Sequence, residues 1–464
     1  MAVREVFPPR KSRQGLAAGR APFIPSAQRA RMRALAEETM VMAIGRRTRL
    51  FWLGASMAAV GCVTPPTGFE SRATPEAQGR MDGARQVRYP EAPFSGVKED
   101  FSRWPSYANR LRFPSPQKAA LPAELKGDPA QGRKIFLDRN KGPCTGCHLV
   151  QGADVWPAGN VGTDLSLAGE RYANADAVLY QYIYDPRVFN PASLMPPWGT
   201  AGLLTPQEIA HLVAFLKTQK GPLPPETDPA RNPNTRPRPA PYFGDNLDPT
   251  NNPAVILAED AIKTWRQRGP AGKSCVDCHG EVERMKGVAT RYPKHWPQYR
   301  RIMSIEDVIA WHGADATGLA LRAQSAENVN LSMLIRMQSN GLPVDVDVTS
   351  AEARRAFERG RDRFYQRVGQ RNHACADCHD PARGGDKFLG GRLLATTDSG
   401  LTRHFPTFRT NFGIVWDIRK RMQWCLLPLG MNYLPADAVE YAEIELYLAS
   451  FDRGKPMSVP GIRH

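Results

Sequence analysis

Cys144-Thr145-Gly146-Cys147-His148, Cys275-Val276-Asp277-Cys278-His279 and Cys375-Ala376-Asp377-Cys378-His379 repeat one pentad, Cys-x-x-Cys-His, three times along 464 residues. This spacing attaches c-type haem: two thiols add to the porphyrin vinyl groups, and the adjacent histidine is delivered beneath the iron. At this chain's Cys and His frequencies about 0.003 such matches arise by chance, so three exclude coincidence. Zinc binding is the competing use of such pairs. Each zinc would need two further ligands, and the two Cys and scattered His outside the pentads are too few. The chain is therefore expected to carry three covalently attached haems c.

Helical signals flank the pentads. Asp128 can cap a helix with Pro129 at its first position, leading into the first pentad. Thr205-Pro206-Gln207-Glu208 is a capping box, and Ile209, Leu212, Val213 and Leu216 then share one helical face. Opening helix, pentad and closing helix make the layout of a small cytochrome c domain. Residues 221–253 contain ten prolines and few apolar residues, a stiffened linker. The second and third pentads follow, each preceded by a helical pattern, over 254–268 and 350–368. A last helix is predicted over 436–451, and no segment is strand-rich. The predicted class is mostly α, with three cytochrome c-like domains, the last two a tandem dihaem pair. The expected divisions are 1–61, an export signal with an over-extended start; 62–120, linker and lead-in; and 121–220, a monohaem domain. After the 221–253 linker come 254–345 and 346–464, the two dihaem-part domains, the last holding the active site.

The formal charge is +16, and residues 1–61 supply half of it, with eleven Lys/Arg against three Asp/Glu. Each ferric haem c with both propionates ionised subtracts about one unit more. The remainder is mildly basic, which suits anionic small substrates or an acidic partner. No aromatic-interleaved basic patch appears, so no nucleic acid is expected. Arg46, Arg47 and Arg49 precede a twelve-residue apolar stretch, 50–61, too short to span a bilayer. Ala59-Val60-Gly61-Cys62 resembles a lipoprotein cleavage box, with Ala where Leu is commoner. The expectation is export to the periplasm, with Cys62 a candidate lipid anchor and translation starting at Met40 or Met42.

The residue opposite each proximal histidine (His148, His279, His379) decides what each haem does. Met195 sits in a Pro-rich loop, Asn190-Pro191-Ala192-Ser193-Leu194-Met195-Pro196-Pro197, a usual distance after His148. A thioether there raises the reduction potential. Cys425 falls at a similar distance after His379, on a helical pattern with Ile418 and Met422. Arg421 is placed beside its sulfur at the i, i+4 spacing, with Arg419 and Lys420 adjacent, and Lys420 or Arg419 is expected to help Arg421 screen an anion. The alternative for Cys425 is an inert core thiol. For the second haem His295, His312, Met285 and Met303 are all in reach. His312 fits best, because Ser304 and Asp307 form a capping box and Ile305, Val308, Ile309 and His312 share a face.

With these residues in view, the stretch from about 125 to the end resembles SoxXA, the c-type cytochrome of the bacterial Sox thiosulfate-oxidation system. Residues 125–220 look like the monohaem SoxX subunit, through Gly132-Arg133-Lys134, the first pentad, 162–165, Arg171-Tyr172, 190–197 and 204–216. Residues 254–464 look like the dihaem SoxA subunit. That match runs through Gly272-Lys273-Ser274, Gly287-Val288-Ala289, Arg291-Tyr292-Pro293, Gln338-Ser339, Phe405-Pro406, Arg409, and Arg421 with Cys425. The resemblance implies an L-cysteine S-thiosulfotransferase that oxidatively couples thiosulfate to a cysteine of the SoxYZ carrier. A small soluble cytochrome c would accept the electrons. It implies that Cys425 ligates the third haem and carries a persulfide, and that Arg421 holds the substrate anion. It further implies that the pentad cysteines bind haem, with His148, Met195, His279 and His379 on the irons. Two features depart from the family: the subunits are joined by the Pro-rich linker, and His312 stands where the dihaem subunit commonly has Cys. The rivals are a dihaem thiosulfate dehydrogenase forming tetrathionate, a plain electron-transfer cytochrome, and a peroxidase, which would want an exchangeable iron.

Overall fold

Two glycines fix how the helices of this protein cross. In the computed structural model the helix Pro129–Leu137 packs on Pro206–Lys217. A Cβ on Gly132 would fall 2.0 Å from the carbonyl oxygen of His211. Only glycine lets the two backbones touch there, and four residues on, Phe136 and Phe215 meet at 5.4 Å between ring centroids. The same device recurs around the third pentad. Ala351–Tyr365 packs on Val439–Ser450. A Cβ on Gly360 would lie 2.1 Å from the Glu443 carbonyl oxygen, and four residues on, Phe364 meets Tyr447 at 5.1 Å. Opening and closing helices thus meet through a glycine and an aromatic pair at both places.

The structure describes residues 114–138, 141, 142, 144–151, 159–222, 250–426, 429, 430 and 434–463. The expected export signal, Cys62, most of the lead-in and most of the 221–253 linker lie outside the described residues. Among the described residues fifteen α-helices carry the fold. The seven strands are two or three residues each, in two hairpins and one three-stranded sheet. In that sheet Thr407–Arg409 pairs antiparallel with Ile414–Trp416 and parallel with Gly461–Arg463.

Local signals were kept where they are strong. Asp128 accepts from the backbone N–H of Ala130 and Gln131. Thr205 with Glu208 and Ser304 with Asp307 form the expected capping boxes. Ile209, Leu212, Val213 and Leu216 are all buried in one cluster with Phe136 and Trp198. The pattern over 254–268 divides into Pro253–Asp260 and Ile262–Arg266, with Ala261 capping the first and opening the second. The apolar cluster around 254–345 does not stop at 345. It takes in Ala356, Ala442, Leu446, Ala449, Met457 and Val459. Buried charge joins the same region: Arg336 pairs with Glu306 at 3.0 Å and approaches Glu445 at 3.5 Å, while Arg419 pairs with Asp307.

Candidate active site

A cavity of 2240 Å³ is lined by the first pentad, Met195, the third pentad and Cys425. A pocket for one small ligand runs to about 1,000 Å³, so this space suits two large ring ligands. No residue of the second pentad belongs to its lining.

The first pentad lies on the short helix Cys144–Cys147. His148 Nδ1 is 2.7 Å from the carbonyl oxygen of Thr163. A carbonyl only accepts, so Nδ1 carries the proton and Nε2 keeps the lone pair a metal needs. Gly162 makes room for the ring, since a Cβ there would sit 2.4 Å from it. Met195 packs against the same apolar cluster as Cys144. Burial pushes the Cys144 thiol up to about 12 and Cys147 to about 11.

The third pentad, Cys375–His379, repeats this chemistry. His379 Nδ1 lies 2.6 Å from the Ala395 carbonyl oxygen, again freeing Nε2. Burial pushes both Cys375 and Cys378 up to about 12. Cys425 behaves differently. It lies on the helix Ile418–Leu426, half-buried, with Arg421 Nη1 2.7 Å from its sulfur. Burial alone would raise this thiol, but Arg421 and then His379 outweigh it, and its pKa falls below the usual thiol value. Arg409 also faces the sulfur. Burial first, then Arg421, Arg392 and Arg463, lower the Arg409 guanidinium to about 10. Arg409, Arg421, Arg392 and Arg463 thus line the same cavity as Cys425, with Arg421 on the sulfur and the other two acting on Arg409, a concentration of guanidiniums suited to an anion. Arg421 lies 5.0 Å from the Trp424 ring centroid and Arg409 5.4 Å from Trp416. Trp416 in turn stacks on Phe412 at 4.7 Å.

At the second pentad, Cys275–His279, the imidazoles of His279 and His312 have centroids 6.3 Å apart. Two rings sharing one metal, with about 2.0 Å bonds, would be separated by roughly 6 Å. His312 rests on Trp296 at 5.4 Å. Of the other candidates, Met303 is buried with Tyr299, Ala310 and Trp311, and His295 acts on Glu352. The donor sets at all three pentads fit haem c.

Of the two residues expected to help Arg421 at Cys425, Lys420 or Arg419, the Arg419 half is corrected. Arg419 is fully buried, with Nη1 2.5 Å from Asp307 Oδ1 and 2.7 Å from the Ala436 carbonyl oxygen. Arg409 acts on the Cys425 sulfur instead, and Arg392 and Arg463 act on Arg409. Arg409 stood in the family-like stretch without a role. Arg463 is aligned with Arg409 by the parallel pairing of the last strand, which no local pattern announces.

Two family models match the chain. The one described as cytochrome c covers residues 129–220, and the one described as SoxA/TsdA, cytochrome c domain, covers residues 260–344. The L-cysteine S-thiosulfotransferase subunit SoxA of Pseudaminobacter salicylatoxidans is 31% identical over 215 residues, 46% of this chain and 73% of that relative. The protein of the same name from Hydrogenobacter thermophilus is 27% identical over 213 residues, 45% of this chain and 83% of the relative. The crystal structure of SoxXA from P. pantotrophus aligns with a TM-score of 0.42 at 27% identity, covering 46% of this chain and 80% of that one. The chain carries cytochrome c domains, which bind haem c covalently, and it belongs to the SoxA family of L-cysteine S-thiosulfotransferase subunits.

Proposed function

We propose that the chain holds three haems c, in units 121–220, 254–345 and 346–464, and couples thiosulfate oxidatively to a cysteine of a SoxYZ-type carrier protein. The observation that carries this is Cys425: a thiol of lowered pKa, bonded to Arg421, facing a pentad histidine and with Arg409 beside it.

Cys144 and Cys147 would tether the first haem between His148 and Met195, and Cys375 and Cys378 the third between His379 and Cys425. Cys275 and Cys278 would tether the second between His279 and His312, the last two forming the tandem dihaem pair. Bound haem would supply one-electron iron couples that take up the two electrons of the coupling singly. In that coupling the thiosulfate dianion and the carrier thiolate form one new S–S bond. The product is a carrier S-thiosulfonate monoanion, and two electrons leave for a small soluble cytochrome c. Arg421 and Arg409 hold the sulfonate oxygens and offset the charge of two approaching anions. Cys425, bearing an added sulfur as a persulfide, presents the sulfur that meets the substrate. Export to the periplasm follows from the same reading, through residues 1–61 and with Cys62 as a lipid anchor. Among the described residues no helix is long and apolar enough to cross a membrane.

The test is thiosulfate-dependent reduction of a small cytochrome c with and without the carrier. Turnover should require the carrier and fall at least about a hundredfold in Cys425→Ala, with three haem masses still attached. Tetrathionate formed at full rate without carrier would replace this function with that of a thiosulfate dehydrogenase. Normal turnover in Cys425→Ala would leave an electron-transfer cytochrome, and two or fewer haems on mature protein would remove the three-haem claim.

A further inference from the structure

The loop that carries Met195 is poor in its own backbone donors. Pro191, Pro196 and Pro197 have no N–H. Up to Met195 its local bonds are three, Ala192 N–H to Asn190 Oδ1 at 3.0 Å, Ser193 N–H to the Asn190 carbonyl at 2.9 Å and Met195 N–H to Ser193 Oγ at 3.1 Å. The three carbonyls just before Met195 instead receive donors from more than 170 residues away. Arg367 Nη2 donates to the Ala192 carbonyl at 2.9 Å, and Nη1 to Ser193 at 2.7 Å. His373 Nε2 is 2.5 Å from the Leu194 carbonyl, to which it donates.

Both donors stand on a short turn that opens the third pentad. Val368 and His373 close it with a pair of backbone bonds, 2.9 and 3.2 Å. Arg367 is anchored to Asp377, the middle residue of that pentad, at 3.3 Å. Asp377 also accepts from the backbone N–H of Ala374 at 3.0 Å and from Arg383 at 2.8 Å. From the same turn Arg371 reaches back over Trp198 at 5.5 Å and acts on Cys144 and Cys147. The haem-binding motif of one unit therefore grips the backbone beside the far-side methionine of another.

We infer that Arg367 and His373 are positioning residues that hold the Met195 thioether at ligand distance, so that the third unit completes the ligation of the first haem. This rests on the ligand role proposed for Met195. A methionine on a Pro-rich loop has a weak hold on ferric iron unless its backbone is fixed. Two planar donors on three successive carbonyls fix both its height and its rotation.

The experiment uses the full mature chain with haem attached. Its readouts are the far-red thioether-to-ferric-iron absorption band, the affinity for added imidazole, and the midpoint potential of the first haem. Met195→Ala tests the underlying ligand role and should abolish the band; a band that persists there refutes that role, and this inference with it. In protein whose band depends on Met195, Arg367→Ala with His373→Ala should weaken or abolish the band. It should also raise imidazole affinity at least about tenfold, the scale of one lost charge-assisted hydrogen bond. The potential of the first haem should fall. His373→Gln, which keeps a side-chain N–H donor, should restore more of the band than His373→Ala, which a merely space-filling role would not do. If the double variant fails to assemble, the single variants Arg367→Lys and His373→Gln are read in the same way against the alanine singles. A band and imidazole affinity within twofold of the parent in the alanine variants would overturn the inference.

Discussion

Cys425 is set apart from the pentad cysteines by charge, and helical phase explains how. At about 100° per residue, Arg421 lies within roughly 40° of Cys425 around the helix, whereas Arg419 and Lys420 are some 120–140° away. The Arg421–Cys425 pairing is therefore readable in the sequence, whereas adjacency without phase does not bring Arg419 to the sulfur: its guanidinium is buried on Asp307. Burial pushes Cys144, Cys147, Cys275, Cys375 and Cys378 up, while Cys425 alone among the shifted thiols moves down. Arg409 gives the residue-scale prediction. It acts on the Cys425 sulfur that Arg421 bonds, on the proposed side of the anion. Arg409→Ala should raise the KM for thiosulfate about tenfold or more, the loss of one charge-assisted contact, with a smaller change in kcat. Since the cluster is several cations deep, KM should also climb with ionic strength. An unchanged KM in Arg409→Ala would remove it from the substrate site.

Among the elements, those with strong local chemistry were legible. Capping boxes at Thr205 and Ser304 and the Asp128-Pro129 start appear as read, because a cap is decided within four residues. The two- and three-residue strands were not legible, because so short a run shows no alternation, and the pairing of Gly461–Arg463 with Thr407–Arg409 joins segments far apart in the chain. The break at Ala261 interrupts a helical pattern with neither glycine nor proline to mark it. A further signal is present in the sequence: Gly132 with Phe136 and Gly360 with Phe364 share a spacing of four in the opening helices. Each glycine meets a closing-helix carbonyl, and each aromatic meets a partner ring one turn on. Gly132→Ala must push its helix pair apart, an overpacking cost of about 1–3 kcal/mol. The thermal midpoint of the holoprotein should drop by several degrees, and the Met195-dependent band should be lost at a lower temperature than in the parent. Gly360→Ala should instead act first on the third unit. Identical melting of parent and Gly132→Ala protein would mean the crossing relaxes without strain.

Across the whole molecule, the two C-terminal pentads are joined by buried charge as well as by apolar packing. Glu306 and Arg336, Asp307 and Arg419, and Glu445 all lie in the interior, with Asp417 beside them. They come from segments on both sides of residue 345, which no sequence pattern reveals, since a charged residue on a helix is ordinarily taken for a solvated one. The balance within this group is uneven. Burial pushes Glu306 up, but Arg336 and the Ser332 hydroxyl outweigh it, and its pKa is held at about 2. Glu445 is raised to about 8, by burial first and then by Glu306, which has the closer hold on Arg336. Its Oε2 has no hydrogen-bond partner among the described residues. The consequences for stability have opposite signs. Between the ordinary carboxylate pKa, 4.5, and about 8, folded Glu445 keeps a proton that the unfolded chain has lost. Stability therefore falls as pH rises through that window, by at most about 1.4 kcal/mol per pH unit. Glu306 contributes stability that is complete above 4.5 and is lost as pH falls toward about 2. Glu445→Gln removes the first effect and spares the second. Denaturant midpoints at pH 5, 6.5 and 8 should show the variant gaining on the parent steadily as pH rises, with both proteins losing stability alike below pH 4. A difference between variant and parent that stays constant from pH 5 to 8 would mean that Glu445 is already ionised in the folded protein, with Arg336 shared equally between the two glutamates.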